Sequence, residues 1–288
     1  MAFRQLDNTS VDPARRVLIS GAPNSRKTTS LHTWPHDSEH LLHILSYPGE
    51  KGYKTIDTKD PGVRAYVWEY GSAEDMAKMK PHAVIKEIEQ VTWEILGGKH
   101  GPCHVFAGDG LHKLYGWYYS RAYLDLLNSP GFQTSCDKQH VDPEETAKLR
   151  AYGSPHSPGA YSDFMLYLTK VSHSPVPFVV MTIWEEPERD DPADPRSKAT
   201  HIFPALPGKL AQRIIGEFDF VLYAEVGLAP GPNLPAPATW QTQPGGKVWG
   251  VGSKLPVELA KRLPAKVPQD FGKLLTLLEE KPKGEVKK

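Results

Sequence analysis

The chain has few cysteines, no long apolar run and no excess of charge of either sign. Its two cysteines, Cys103 and Cys136, are too few for a disulfide framework and suit a reducing compartment. No apolar stretch approaches the roughly 18 residues that a membrane-spanning helix needs. The opening segment, MAFRQLDNTSVDPARR, lacks the apolar centre of a secretory signal. A soluble, cytoplasmic protein with no membrane partner is the expectation. Lys plus Arg number 34 and Asp plus Glu number 34, so no global field draws nucleic acid to the chain. Any such contact has to be a local patch. Internal repeats are also missing, which removes solenoid architectures.

What is there fits one large α/β domain over residues 1–288, since 39% of the residues are hydrophobic. Short apolar runs lie at 17–20, 41–45, 63–68, 104–107, 178–183 and 218–224. Between them, 73–96 and 161–171 carry helical spacing, with Phe164, Met165, Leu168 and Val171 recurring at three- and four-residue intervals. Strands separated by helices predict a mostly parallel sheet flanked by helices on both faces. Residues 128–160 and 185–200, rich in proline and charge, read as mobile loops, and 277–288 as a flexible tail. Near the end, TWQTQPGGKVWGV alternates around a Pro-Gly-Gly turn, which predicts a C-terminal β-hairpin.

The most informative segment is VLISGAPNSRKT at 17–28. It follows the phosphate-binding pattern G-x-x-x-x-G-K-[ST], with Arg26 in place of the second glycine. Such a loop aims successive backbone N–H groups at phosphates, and the helix behind it adds its positive dipole end. The candidate ligands are Gly21, Ala22, Pro23, Asn24, Ser25, Arg26, Lys27, Thr28 and Thr29. Lys27 is placed to reach terminal phosphates and the Thr28 hydroxyl to join Mg²⁺. A second apolar run, HVFAG, ends in Asp109, which is both a candidate for the Mg²⁺ shell and a candidate helix N-cap.

In their order along the chain, these motifs resemble the phage-encoded, RecA-like P-loop nucleotide-binding proteins, a group that includes the Sak-type single-strand annealing recombinases. The resemblance covers most of 15–275. It is carried by GAPNSRKT, HVFAGDGLHKL, YSDFMLYLTKV, FVVMTIWEE and, most tellingly, FPALPGKLAQRIIGEFDFVLYAEV. It implies a RecA-like P-loop NTPase fold, ATP and Mg²⁺ as cofactors, a single-stranded DNA partner and homo-oligomers in the host cytoplasm. It also implies roles for three further residues. Glu50, displaced by a residue or two from the family position, would orient the attacking water. Lys209, with Arg213, would reach the nucleotide of a neighbouring subunit, although both also read as ordinary exposed helical cations. Trp184 stands where relatives place a polar sensor of the γ-phosphate, and with Arg26 it points to weak or absent hydrolysis.

Other constellations are weaker. His32, His36, His40 and His43 share a helical spacing that Pro35 interrupts, and Cys103, His104, Cys136 and His140 lack zinc-ligand spacing. Cys103 reads as a packed thiol and Cys136 as a free thiol in a loop. The stretch after Asp109 mixes Lys113, Tyr115, Trp117, Tyr118, Tyr119 and Arg121, a combination suited to base stacking, although such density also reads as core. Against a DNA contact, 185–200 carries Glu185, Glu186, Glu188, Asp190, Asp191 and Asp194. Two other functions remain open: a non-catalytic assembly protein with a degenerate P-loop, and a P-loop kinase, for which no arginine-lined lid is visible.

Overall fold

In the computed structural model, Val17 and Ile19 belong to one buried apolar cluster and Leu18 to another, so the first strand is covered on both faces. The structure describes residues 16–68, 74, 78–153, 159–191, 193–194, 196–229, 236–255 and 260–279. The strands are β1 (Arg16–Gly21), β2 (Leu41–Ser46), β3 (Val63–Val67), β4 (Cys103–Asp109), β5 (Phe178–Arg189), β6 (Ala199–Pro204), β7 (Phe220–Val226), β8 (Ala238–Gln241), β9 (Gly252–Ser253) and β10 (Lys266–Pro268). The helices are α1 (Lys27–Ser30), α2 (Pro81–Leu96), α3 (Leu111–Leu127), α4 (Pro130–Gln139), α5 (Pro143–Ala151), α6 (Ala160–Ser172), α7 (Lys209–Ile215) and α8 (Phe271–Glu279).

The sheet order is β10-β8-β7-β1-β5-β4-β2-β3. All pairs from β7 to β3 are parallel, and β8 and β10 are added antiparallel. The chain is therefore α/β, with a mostly parallel sheet flanked by helices, as expected. Each apolar run seen in the sequence is the centre of a parallel strand. On one face α2, α3 and α6 bury Ile88, Leu114 and Phe164 against Leu18, Phe106 and Met181. On the other, Trp34 packs at 4.5 Å from both Phe178 and Phe271, and Trp240 at 4.5 Å from Phe271. Fully burying a large apolar side chain contributes about 1.5–3 kcal/mol, so these two layers dominate stability.

Several expectations are corrected. Residues 128–160 are not a loop: α4 and α5 occupy most of it, each started by a proline at its first position behind a capping Ser129 or Asp142. Cys136 is accordingly buried on α4 against Phe132 and Ala147, not in a loop. Residues 154–158 lie outside the described residues. In 185–200, β5 runs on to Arg189 and pairs antiparallel with β6, so the ends of this stretch are the arms of a hairpin and the loop is confined to 190–198, of which 192 and 195 lie outside the described residues. The Pro-Gly-Gly segment closes on itself through a single antiparallel bridge, Gly245 to Val248, and not through a pair of strands; β8 and β9 both add antiparallel to β7. The stretch 73–96 is helical only from Pro81 in its long part, because Met79 and Lys80 are not helical; 69–73 and 75–77 lie outside the described residues. At the C-terminal end α8 extends through Glu279, and 280–288 lie outside the described residues. No described helix is long and apolar enough to cross a membrane.

Candidate functional site

β1 is the central strand between β5 and β7, and its C-terminal end opens into the loop 22–26. Gly21 has φ 152°, and a Cβ there would meet the Ala224 carbonyl oxygen at 2.6 Å, so the chain leaves the sheet at a point that only glycine permits. Arg26 is left-handed, at φ 63° and ψ 22°. This is the backbone conformation that the pattern's second glycine would supply without strain. Its exposed side chain makes no hydrogen bond or ion pair among the described residues.

Lys27 is 6% exposed, and its ammonium is held by three acceptors inside the loop. They are the carbonyls of Gly21 at 2.9 Å and Ala22 at 2.7 Å and the Ser25 hydroxyl at 3.2 Å. Burial lowers its pKa to about 8, partly offset by the carboxylates of Asp109, Glu50 and Glu185. The loop is also pinned from behind. Gln269, after β10, donates from its side-chain amide to the carbonyl of Ser25 at 3.0 Å, and to those of Thr239 at 3.1 Å and Glu225 at 3.3 Å. Nothing in the sequence pattern pointed to Gln269.

The helix behind the loop is short. α1 is a single turn, continued by a 3-10 turn at Leu31–Thr33 and stopped where extended Trp34 precedes Pro35. Its dipole contribution is correspondingly small, and Lys27 and the loop carry the positive potential.

Thr28 and Asp109 come together as the sequence suggested: the Thr28 hydroxyl donates to Asp109 Oδ2 at 2.9 Å. Asp109 is 2% exposed at the end of β4, and its side chain caps no backbone N–H of α3, whose first turn has no side-chain cap bond. Thr182, from the middle of β5, donates to Asp109 Oδ1 and accepts from the Gly110 N–H at 3.0 Å. Burial raises the Asp109 pKa to about 6, with Thr182 and Thr28 pulling the other way. A Cβ on Gly52 would come within 2.8 Å of Asp109 Oδ2 and press on Thr28, so the glycine keeps the space beside this pair open. Among the described residues no group of three or more His, Cys, Asp or Glu side chains forms a metal cluster. A cation here would have one hydroxyl and one carboxylate from the protein, a donor set that suits Mg²⁺, which keeps waters and substrate oxygens.

A cavity of about 460 Å³ joins these groups, lined by the loop 23–29, Glu50, Gly52, Asp109, Thr182 and Trp184. Glu50 therefore reaches the Lys27 cavity. Its Oε1 accepts from the N–H groups of Lys51 at 2.9 Å and Gly52 at 3.2 Å, and its buried Oε2 has no partner. Behind it, His112 Nε2 lies 3.8 Å away, stacked on Trp184 with ring centres 4.3 Å apart. Burial lowers the His112 pKa to about 3, which keeps the ring neutral. Trp184 itself is in register with Gly21 and packs under Lys113 Nζ at 4.9 Å. The polar group on β5 that meets Asp109 is thus Thr182, two residues earlier.

Lys209 is not in this cavity. It begins α7 and lines a separate one, and Arg213 donates to the Tyr161 hydroxyl at 3.2 Å. The stacking surface expected on α3 is largely taken up internally. Tyr118 is 1% exposed and bonds Glu89, the Trp117 indole donates to the Pro48 carbonyl at 3.1 Å, and Arg121 pairs with Asp163. No protein-family profile matches the chain, and no curated protein matches it.

Proposed function

We propose that the chain is a RecA-like P-loop protein that binds ATP with Mg²⁺ in the cavity between the loop 22–26 and Asp109, and works on single-stranded DNA as a cytoplasmic homo-oligomer. The observation that carries the nucleotide part is the pairing of a caged, buried Lys27 with the Thr28–Asp109 contact, at the carboxyl ends of β1 and β4, parallel strands on either side of β5. Ligands of such sheets bind beyond the carboxyl ends of the strands. Lys27 exchanges the Gly21 and Ala22 carbonyls for phosphate oxygens, a charge-assisted contact worth more than the neutral ones it gives up. Thr28 and Asp109 would hold Mg²⁺, which supplies charge neutralisation between the phosphates when bound. Glu50, with Oε2 free and the backbone N–H groups of Lys51 and Gly52 fixing Oε1, is the group able to orient a water and accept its proton.

Hydrolysis is expected to be slow. The loop carries a strained Arg26, and the cavity is lined by Trp184 where a polar side chain would sense the γ-phosphate. The same left-handed Arg26 favours a second reading, an assembly protein in which the loop has lost its ligand. A thermal shift separates the two: at 100 times its Kd a ligand adds about 2.7 kcal/mol of stability. Mg·ATP should raise Tm, and no shift up to millimolar Mg·ATP supports the second reading.

A further inference from the structure

Lys209 belongs to neither the Lys27 cavity nor the core, and what surrounds it has a definite chemistry. A cavity of about 800 Å³ opens between α3, α5, α6 and the start of α7. That volume lies in the roughly 300–1,000 Å³ range of ligand sites. Four tyrosines form its walls, Tyr115 and Tyr119 from α3, Tyr152 after α5 and Tyr161 from α6. Three of their hydroxyls are already used by the protein. Tyr119 donates to the Lys148 carbonyl at 2.8 Å, Tyr152 to the Pro207 carbonyl at 3.2 Å, and Tyr161 accepts from Arg213. Their polar ends being fixed, the rings are held as aromatic walls. The fourth hydroxyl, on Tyr115, is buried and has no partner, while the residue is 7% exposed.

The rim is cationic. Lys148 and Lys209 line the cavity, both are exposed, and neither ammonium has an ion-pair or hydrogen-bond partner among the described residues. No Asp or Glu among the described residues lines it. Aromatic faces with unpaired lysines at the edge are the combination that binds single-stranded nucleic acid, where bases stack and phosphates meet the cations. We propose that this cavity takes a nucleotide of a single DNA strand, its base against the tyrosine rings and its phosphates at Lys148 and Lys209. This rests on the single-strand partner of the preceding reading and, of the α3 residues that the sequence suggested for DNA, keeps Tyr115 and Tyr119.

The test is anisotropy of a labelled oligothymidine at several low salt concentrations, with the Mg·ATP thermal shift measured on the same protein. Three variants are compared with the wild type: Tyr152→Leu, Tyr152→Phe and Lys148→Ala. Stacking is worth about 1–3 kcal/mol per base, so Tyr152→Leu should weaken binding by roughly 5- to 150-fold, whereas Tyr152→Phe, which keeps the ring, should bind nearly as the wild type. Lys148→Ala should make the log–log salt slope shallower by about 0.7. All three should keep the Mg·ATP shift. Unchanged strand affinity in Tyr152→Leu together with an unchanged slope in Lys148→Ala would overturn the assignment. So would a wild type that binds no oligothymidine while still responding to Mg·ATP, and that outcome leaves the nucleotide reading standing. Strand binding lost in the variants but no response to Mg·ATP in any protein would sustain the cavity and remove the nucleotide reading. Loss of self-association at unchanged strand affinity would make the cavity a subunit interface, against the proposal.

Discussion

Arg26→Gly separates backbone strain from side-chain chemistry at the loop. Arg26 is held at φ 63° and ψ 22°, and a left-handed residue with a Cβ costs roughly 1–2 kcal/mol. Glycine removes that cost but loses about 0.5–1 kcal/mol through the greater freedom of the unfolded chain. The arginine side chain is exposed without a polar partner among the described residues, so little else is lost. The net expectation is a gain of about 0.5–1 kcal/mol for Arg26→Gly. For a chain of this size that is a rise in Tm of roughly 1–2 °C. Arg26→Ala, which keeps the Cβ and so the strain, should show no gain. Arg26→Asn should fall between, since asparagine tolerates this region better than most residues. Urea denaturation of the four proteins without ligand gives the ranking, and Mg·ATP affinity on the same samples gives its functional side. Glycine should also tighten nucleotide binding or speed turnover by letting the loop backbone approach the phosphates. A stability order with arginine or alanine above glycine would refute the strain argument. Loss of nucleotide affinity in the glycine variant would make Arg26 itself a phosphate ligand.

Three further outcomes are expected. Asp109 holds its proton more tightly folded, with a pKa of about 6, than unfolded near 3.8. Its contribution is therefore full below pH 3.8 and is lost as pH rises through 6, up to about 3 kcal/mol in all. Asp109→Asn should flatten that part of the urea-measured pH profile and raise ligand-free stability at neutral pH, while weakening the Mg²⁺ dependence of ATP binding; a steeper profile would contradict the burial argument. Gln269→Leu leaves the carbonyls of Ser25, Thr239 and Glu225 without their donor and should cost about 1–3 kcal/mol. Hydrogen exchange should then quicken in the loop 22–26, and unchanged protection there would show that Gln269 does not fix it. Glu50→Gln should keep Mg·ATP binding and lower single-turnover hydrolysis at least tenfold; equal rates would remove Glu50 as the water-orienting group.

The parallel strands were legible because their centres are short apolar runs, buried on both faces in β1 and in the middle of β4 and β5 though not at the edge strand β3, and the loop because Gly21, Lys27 and Thr28 keep a fixed spacing. Asp109 was legible for the same reason, as the polar end of an apolar strand. Residues 128–160 were misread because Pro130 and Pro143 break a helix inside it yet begin one at its first position, and composition does not distinguish the two. The aromatic density of α3 likewise gives no direction: Tyr118 turns to the core while Tyr115 and Tyr119 line a cavity, and only the packing of α5 and α6 decides which. Gln269 and His112 were invisible because their roles come from contacts with Ser25 and Glu50, far away in the chain. Thr182 was passed over for Trp184, since alternation along β5 fixes which side chain meets Asp109 only once the register with β1 and β4 is known.

The most direct test of the nucleotide site is a calorimetric titration of Mg·ATP into the wild type and into Lys27→Ala, with circular dichroism confirming that both are folded. Lys27 is the one lysine of the loop, and its ammonium is caged by Gly21, Ala22 and Ser25. Saturable binding by the wild type that falls at least a hundredfold in Lys27→Ala is the expected result. Equal affinity in the two proteins, or no heat with either, would contradict it.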